Sequence, residues 1–431
     1  MSKTQKSLLA LLGVLLVFFG FVVVRIGVAK PVSTVKVAKI PAGEYDSAVW
    51  GQYYPLQYES FKKNAEMAPS PTGYGGSIKV QKSEMQPEIL VNFKGMPFSK
   101  DYTEDRGHVY TMTDLMETKR IGPASKGACI TCKTPYLEKM VKEYGWGYAS
   151  KPLSEIIDYA KKEHGSISCA QCHDPETMNL RVINPAFSEA MERRGIDVSK
   201  ASREDMRNYV CAQCHVEYYF VPGSFQVVFP WDKGFKPAEM YAYYADKPNN
   251  FQGDWEHPDS KVQMLKAQHP DYETYITGTH GKAGVSCADC HMPYMRKDGQ
   301  KYSSHWMTSP QKHLEDSCGQ CHSNQGQAWM SERIKTIQDQ AFEMQHTAGL
   351  NVAKAHESIK KASEAAEVDQ SKLAEARELV RKAQWFWDIV AAESSMGFHN
   401  PDQVITTCGQ ANEFAHRAIE AANKAAGINT L

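Results

Sequence analysis

Ten of the eleven cysteines in this 431-residue chain fall into five Cys-x-x-Cys pairs, and four of these pairs are followed directly by histidine. The pairs are Cys129/Cys132, Cys169/Cys172, Cys211/Cys214, Cys287/Cys290 and Cys318/Cys321. The histidines that follow are His173, His215, His291 and His322. The first pair differs, because it is followed by Lys133. A pattern that uses nearly every cysteine indicates one chemistry repeated along the chain.

Cys-x-x-Cys occurs in redox dithiols, in zinc sites and in covalent haem attachment. In c-type attachment both cysteines bind the porphyrin, and the histidine that follows ligates the iron. Zinc ribbons need no following histidine, and a thioredoxin-like site needs a single motif in a βαβ setting. Four motifs that end in histidine therefore indicate a multihaem c-type cytochrome.

The amino terminus resembles an export signal. Lys3 and Lys6 precede an apolar run from Leu8 to Val24, and Gly27–Ala29 offers small residues for cleavage. The run of 17 residues is also close to the shortest membrane span. Residues 1–29 are therefore predicted to be a cleaved signal peptide or an anchor to the inner membrane through residues 8–24. Both alternatives place the rest of the chain in an exported compartment.

The middle of the chain shows little sustained periodicity. Residues 30–45 are predicted to be a linker, and residues 46–326 a haem-binding catalytic body with helices near 136–145, 152–163 and 201–213. Long irregular stretches are uncommon in a domain with a purely peptide core, so porphyrins are expected to supply much of the core. A formal net charge of −1 gives no indication of a nucleic-acid partner.

After Gln327 the composition changes to Ala, Glu, Lys and Gln, and three long helices are predicted at roughly 327–366, 371–397 and 402–426. An apolar seam follows the second helix at Leu373, Ala376, Val380, Ala383, Trp387 and Val390. Such a coiled-coil-like seam packs on the haem-bearing body or forms the interface of a homodimer within 327–431. The predicted fold class is mainly α: a multihaem cytochrome c fold with a haem-packed, loop-rich body and long C-terminal helices.

Each haem iron needs a second axial ligand unless it is to react. The histidines outside the motifs are His108, His164, His257, His269, His280, His305, His313, His346, His356, His399 and His416. They are more than enough for four bis-histidine haems, which would act as closed electron carriers. The spacing of these residues does not say which four are used.

Lys133 occupies the position of a fifth proximal ligand. The plain explanation is a decayed motif, or ligation by a histidine from elsewhere in the chain. Otherwise the amine itself binds iron, and neutralising a lysine at pH 7 costs roughly 4–5 kcal/mol, which coordination must exceed. An amine is a pure σ donor, which leaves iron electrons available to a π-accepting ligand on the opposite face. Lys133 is therefore expected to mark a catalytic haem.

One Cys-x-x-Cys-Lys motif, four Cys-x-x-Cys-His motifs and a helical carboxyl-terminal region together resemble the ammonia-forming cytochrome c nitrite reductases, which are pentahaem periplasmic enzymes. The resemblance covers about residues 45–425. It implies five c-type haems and six-electron reduction of nitrite to ammonium at the haem on Lys133, with hydroxylamine also turned over. It further implies a membrane quinol-oxidising multihaem cytochrome as the electron donor.

The resemblance also assigns residues to the catalytic pocket and to the haems. The family's distal arginine, tyrosine and histidine correspond to Arg120 in ETKRIG, Tyr218 in CAQCHVEYYF and His269 in KAQH. The implied distal ligands are His305 for the second haem, His108 for the third, His399 for the fourth and His280 for the fifth. His313 is the nearest alternative to His305.

The same stretches resemble the family's calcium site. Glu217 and Gln268 would supply side-chain oxygens, while Tyr218 and Lys266 would supply backbone carbonyls. Oxygen-only ligation suits a hard cation, so one calcium ion is implied. Without the resemblance, Glu217 would be interpreted as a solvated surface carboxylate.

Two other functions stay open. An electron-transfer cytochrome without a substrate would have six-coordinate iron at every haem. An enzyme of hydroxylamine or sulfite reduction could be built on the same scaffold.

Overall fold

The computed structural model describes residues 39–104, 106–159 and 165–428. From Ile40 onward these residues form one compact unit. The predicted signal peptide or anchor at 1–29 and most of the predicted linker at 30–45 lie outside the described residues and stay predictions. Among the described helices, none has the length and apolar character needed to cross a bilayer.

Short helices and three small antiparallel ribbons make up the body of the chain. The α-helices of the body are Ser47–Gly51, Pro55–Lys62, Lys82–Met85, Ile89–Asn92, Thr111–Glu117, Leu137–Tyr144, Gly147–Ser150, Leu153–Ile156, Cys169–Cys172, Pro185–Arg193, Arg203–Ala212, Pro237–Ala245, Asp271–Ile276, Thr279–Lys282, Cys287–His291 and Leu314–Ser317. Turns of 3-10 helix are Lys63–Ala65, Pro97–Ser99, His108–Tyr110, Gly127–Ile130, Ile157–Tyr159, Val198–Lys200, Pro248–Asn250 and Pro310–His313. The ribbons pair Tyr219–Phe220 with Val227–Val228, Trp255–His257 with Val262–Met264, and Tyr294–Lys297 with Gln300–Ser303.

The body helices follow local signals where those signals are strong. The helix predicted near 201–213 is Arg203–Ala212, and its first turn carries a capping box between Ser202 and Asp205. The helix predicted near 136–145 is Leu137–Tyr144. The stretch predicted at 152–163 is shorter, with Leu153–Ile156 followed by a 3-10 turn that ends at Tyr159.

Three long helices follow the body: Gln327–Ser363, Gln370–Ala391 and Pro401–Ala425, here called the first, second and third long helix. Asp369 caps the second, accepting a hydrogen bond from Ser371 N, and Asn400 caps the third in front of Pro401. The second was predicted to reach residue 397 but ends at Ala391. Met396 and Gly397 both have positive φ, which an α-helix cannot continue through.

The predicted apolar seam of the second long helix is used inside the chain. Its six residues are 0–7 % exposed and belong to one core cluster with the first and third long helices. The same cluster includes Phe93, Trp255 and Met264 of the body. Packing within the chain therefore accounts for the seam, and the mainly α fold is confirmed.

A stacked pair of histidines lies in this core. The rings of His257 and His356 are 3.7 Å apart and both side chains are fully buried. His257 Nε2 lies 2.9 Å from the carbonyl of Val91. His356 lies 2.9 Å from Ser260 Oγ and 2.6 Å from Gln384 Oε1. Burial, together with the neighbouring His257 ring, lowers the pKa of His356 to about 3.

The neutral His356 ring predicts a pH-dependent contribution to stability. Its pKa is depressed on folding, so this contribution is complete above about pH 6.5 and is lost as the pH falls toward 3. His356→Gln is expected to lower the unfolding free energy by about 1–3 kcal/mol at pH 7.5. The difference in unfolding free energy between His356→Gln and wild type should become smaller at pH 5.5 and smaller again at pH 4.5.

Denaturant unfolding of the haem-loaded protein at the three pH values measures this difference. The exposed His416 on the third long helix provides the control variant His416→Gln, which should follow wild type throughout. A His356→Gln deficit that stays constant from pH 7.5 to 4.5 would contradict the buried neutral imidazole.

Candidate haem-binding and active site

A single cavity of ≈ 1750 Å³ runs through the body, and all ten motif cysteines line it. No two of the eleven cysteines form a disulfide, and Cys408 is the one cysteine outside the cavity wall. The lining also includes nine histidines, Lys133 and Tyr218. Five pairs of thiols that face one shared, largely apolar space fit covalently attached porphyrins.

The cysteine motifs follow one another closely around this cavity. The Cys132 thiol of the first motif contacts Cys214 of the third. Cys211 of the third motif contacts Cys287 of the fourth. Further pairs within electrostatic range are Cys172 with Cys211 and Cys290 with Cys318. The third motif therefore lies at the centre, beside the first, second and fourth.

Each of the four motif histidines faces a second imidazole across the cavity. The ring centres of His108 and His215, and of His173 and His305, are 6.0 Å apart. Those of His280 and His322, and of His291 and His399, are 6.3 Å apart. Two metal–nitrogen bonds of about 2.1 Å, plus the nitrogen-to-centre distance in each ring, total roughly 6 Å. The rings are thus spaced to ligate one metal from opposite sides.

The structure brings together all four pairs implied by the family resemblance. His313, the alternative to His305, packs instead against Trp306 at 4.9 Å. His346 lies beside the Glu88 carboxylate, and His164 is outside the described residues. The stacked His257 and His356 belong to the core, away from the cavity wall.

For five of the eight haem-facing histidines, the second ring nitrogen, Nδ1, lies beside a partner of one of two kinds. Three face backbone carbonyls at 2.9–3.0 Å: His173 at Met178, His291 at Thr308 and His305 at Ser303. Two face carboxylates: His215 at Asp271, 2.9 Å away, and His399 at Glu393, 2.6 Å away. Such partners fix the orientation of a ligand ring and change its basicity.

The first motif has a different environment. Lys133 lines the cavity, and its backbone carbonyl accepts a hydrogen bond of 2.7 Å from Thr111 Oγ1. Tyr218 also lines the cavity, within electrostatic range of Cys129 and Cys132. Burial raises the pKa of Tyr218 well above its ordinary value, so its phenol stays protonated.

Arg120 stands beside the cavity rather than in its wall. Its guanidinium lies 4.4 Å over the ring of Phe98, and its Nε donates a 3.1 Å hydrogen bond to Thr118 Oγ1. Thr118 in turn donates to the buried carboxylate of Asp101 at 2.6 Å. The arginine charge still acts on both Cys129 and Tyr218. The guanidinium is therefore held next to the first motif by a chain of fixed contacts.

The residues implied as calcium ligands come together in the interior. Glu217 is fully buried, which corrects the interpretation of this residue, from the sequence alone, as a surface carboxylate. Its carboxylate accepts hydrogen bonds from Gln268 N at 2.6 Å and Tyr244 Oη at 2.8 Å. The Gln268 side chain reaches the carbonyl of Lys266, 3.1 Å away. Tyr218 directly follows Glu217 and His269 directly follows Gln268, so the hydrogen bond between Gln268 and Glu217 holds both neighbours close.

The charge balance at Glu217 fits a bound cation. Burial raises the pKa of Glu217 well above its ordinary value, and nearby Glu273 and Asp254 raise it further. Burial also raises the pKa of Asp254 to about 7 and that of Glu273 to about 8. The ammonium of Lys266 points to Asp388, 2.9 Å away. A positive ion would stabilise the charged form of these buried carboxylates. Buried carboxylate and carbonyl oxygens are also the ligands that suit a hard cation such as calcium.

Comparison with known proteins supports the same interpretation. Residues 46–430 match the family model described as Cytochrome c552. The chain belongs to the cytochrome c552 family. Over 422 aligned residues it is 41 % identical to the cytochrome c nitrite reductase subunit NrfA of Nitratidesulfovibrio vulgaris, which covers 90 % of this chain and 80 % of that protein.

Two further proteins are similar to this chain over most of its length. A cytochrome c-552 of Bacteroides fragilis is 37 % identical, covering 90 % of this chain and 79 % of that protein. A solved cytochrome c nitrite reductase of Desulfovibrio desulfuricans, described with two calcium sites, matches with a TM-score of 0.84 and 38 % identity. The match covers 90 % of this chain and 87 % of that one. The resemblance to cytochrome c nitrite reductases is confirmed.

Several residues of this cytochrome c552 site were not found from the sequence. Asp271 lies 56 residues after His215, and no local pattern connects a carboxylate to a ring so distant. Thr118 and Phe98, which hold Arg120, are equally ordinary residues in their segments. The one available signal was Glu393, which lies six residues before the implied ligand His399.

The buried oxygen cluster predicts that calcium depends on Glu217. In Glu217→Gln the neutral amide removes the charge that attracts the cation, so calcium content should fall. Activity on nitrite should decrease by about 10–100-fold, because loss of a metal's supporting shell typically has that effect. Elemental analysis of calcium, with haem content measured in parallel, separates loss of the ion from misfolding.

The exposed Glu256 provides the matched control, because Glu256→Gln removes a carboxylate from a nearby strand without touching the cluster. Full calcium and full activity in Glu217→Gln would exclude this residue as a ligand.

Proposed function

We propose that this member of the cytochrome c552 family reduces nitrite to ammonium in the periplasm, at a c-type haem ligated by Lys133 and fed by four bis-histidine haems. The observation that carries the proposal is the contrast among the five motifs. Four motif histidines face a second imidazole at 6.0–6.3 Å. The lysine motif instead has Tyr218 and the charge of Arg120 beside it.

The cysteines and axial ligands would hold the haems in a connected series. Contacts between the first and third motifs, and between the third and fourth, place the attachment points within a few ångströms of one another. Electrons that enter at a bis-histidine site can therefore reach the Lys133 site through neighbouring groups. When bound at Lys133, the haem supplies the metal that binds nitrite through nitrogen and delivers its electrons.

Arg120 would bind and orient the anion. Its guanidinium is fixed by Phe98 and Thr118, so little rotamer entropy is lost when it donates to a nitrite oxygen. A positive charge held near the first motif attracts nitrite and favours N–O cleavage as negative charge develops on the leaving oxygen. The same charge, with the calcium ion, disfavours retention of ammonium.

Tyr218 and His269 would supply protons. The reaction consumes eight protons, and the Tyr218 hydroxyl is placed to donate because Tyr218 lines the cavity next to the first motif. The hydrogen bond from Gln268 N to Glu217 connects the segments that carry these two residues. The calcium site thereby holds the tyrosine and the histidine in register.

The remaining parts of the proposal concern partners. Hydroxylamine, as a late intermediate of the same reaction, is a second substrate. A membrane quinol-oxidising multihaem cytochrome donates the electrons, and the export signal or anchor at 1–29 places the enzyme beside it. The homodimer uses outer faces of residues 327–431, where Leu350 and Ile405 are exposed, because the seam is buried within the chain.

Steady-state product analysis tests the function. Purified protein with a reduced donor should convert nitrite quantitatively to ammonium without released intermediates, and one high-spin haem signal should shift when nitrite is added. An electron-transfer cytochrome would show only low-spin haem and no consumption of nitrite. A hydroxylamine or sulfite reductase would turn over those substrates and leave nitrite largely intact.

Lys133→His is expected to keep five covalently bound haems while lowering nitrite turnover at least tenfold, about 1.4 kcal/mol in the barrier. The reason is that an imidazole competes for the iron electrons that an alkylamine leaves to the substrate. Intact mass gives the haem count and stopped-flow kinetics give the turnover. Full turnover with five haems present would show that the lysine has no chemical role.

Arg120→Gln should raise the KM for nitrite about tenfold or more, since a hydrogen bond to a charged group contributes about 1.5–3 kcal/mol. The KM for neutral hydroxylamine should change less, because that substrate carries no charge for the guanidinium to attract. Arg120→Lys keeps the charge and should recover part of the nitrite affinity. Equal effects on both substrates in Arg120→Gln would indicate a structural role only.

A further inference from the structure

The haem-facing imidazoles differ in the charge that their outer nitrogens meet. His173, His291 and His305 face neutral backbone carbonyls. His215 and His399 face carboxylates. These two belong to different pairs, His108/His215 and His291/His399. Asp271 therefore acts mainly on the haem position of the third motif and Glu393 on that of the fourth, although Asp271 also lies within 4.8 Å of His399.

Asp271 is built to hold its charge against His215. The carboxylate is 7 % exposed. Its Oδ2 accepts from His215 Nδ1 at 2.9 Å and from Ser394 Oγ at 3.1 Å. Its Oδ1 accepts from Ser394 N at 2.7 Å. The position of this carboxylate is thus fixed from both sides, by the ligand ring and by the loop after the second long helix.

Glu393, 5 % exposed, begins the same loop. Its Oε1 lies 2.6 Å from His399 Nδ1, although at an angle too oblique for a regular hydrogen bond. Its oxygens also accept from Ser395 N at 3.0 Å and Ser395 Oγ at 2.8 Å. Glu393 therefore acts on His399 chiefly through its charge, whereas Asp271 acts on His215 through both charge and a hydrogen bond.

We propose that Asp271 and Glu393 lower the reduction potentials of the haems ligated by His215 and His399 below the potential of the haem between His173 and His305. A carboxylate that draws on the Nδ1–H makes the imidazole a stronger donor, and a stronger donor stabilises ferric over ferrous iron. A buried negative charge favours the ferric state in the same direction. The proposal rests on the haem ligation given above.

The two low-potential haems would lie in series with the catalytic one, the haem of the third motif next to it and the haem of the fourth motif one step further. The third motif contacts the first through Cys214 and Cys132, and the fourth contacts the third through Cys287 and Cys211. An electron on either haem is then held weakly and passes readily toward the Lys133 site. The two carboxylates act through the imidazoles of His215 and His399, so they are positioning residues and not catalytic ones.

Spectroelectrochemical titration of the haem-loaded protein tests the proposal, with the electrode supplying one electron per haem as each iron passes from ferric to ferrous. In Asp271→Asn the low-spin haem ligated by His215 should shift most to a more positive midpoint, and the haem ligated by His399 should shift in the same direction by less, because Asp271 also lies within 4.8 Å of His399. Ser394→Ala leaves the carboxylate but removes one of its donors, so its pull on His215 grows. The same midpoint should then shift in the opposite, negative direction.

Glu393→Gln should shift the midpoint of the haem ligated by His399 most, again to a more positive value, and the two variants combined should shift the His399 haem further than either alone. The matched control is Glu88→Gln, because the Glu88 carboxylate lies 2.9 Å from Nδ1 of His346, which is outside the four facing pairs of the described residues. It should move no midpoint.

Unchanged or negative midpoints in both Asp271→Asn and Glu393→Gln, at full haem content, would overturn the proposal. Low-spin bis-histidine spectra in wild type check the ligation separately, so failure of the tuning and failure of the haem assignment give different results.

Discussion

The facing imidazole pairs are the constraint on which the rest of the structure depends. They join parts of the chain that are far apart in sequence, such as His108 with His215 and His173 with His305. Two neutral rings 6 Å apart do not attract each other measurably, but the proposed iron ligation would make each pair a cross-link. Such cross-links would stabilise long loops in a body that is built of four- to ten-residue helices.

The sequence predicted the parts of the molecule that are encoded locally. The haem-attachment motifs need only five consecutive residues, and the long helices follow from composition, periodicity and caps such as Asp369. The predicted range of the second long helix was too long. The sequence gives no clear sign that the backbone turns to positive φ at Met396. The distal ligands and the calcium residues came from the family resemblance. Glu217 shows why, since nothing near it in sequence indicates that it is buried.

The long-helix region contributes to the site as well as to the core. Asp388 on the second long helix accepts hydrogen bonds from Lys266 Nζ at 2.9 Å and Ala267 N at 2.7 Å. Both partners of this ion pair are almost fully buried, so removing either would leave an uncompensated charge. The helix thereby fixes the segment that continues into Gln268 and His269. A region whose sequence resembled a subunit interface thus positions the segment of His269, which is proposed to act in catalysis.

Phe98 connects this support to the anion-binding residue. Its ring lies 5.0 Å from Lys266 Nζ and 4.4 Å from the guanidinium carbon of Arg120. Cations attracted to one aromatic ring favour a fixed position for that ring. Movement of the Lys266 segment, which carries the calcium-site carbonyl, would therefore be transmitted through Phe98 to Arg120. The proposed cation site and the proposed anion-binding charge therefore share one aromatic support, although Lys266 and Arg120 are 146 residues apart in the sequence.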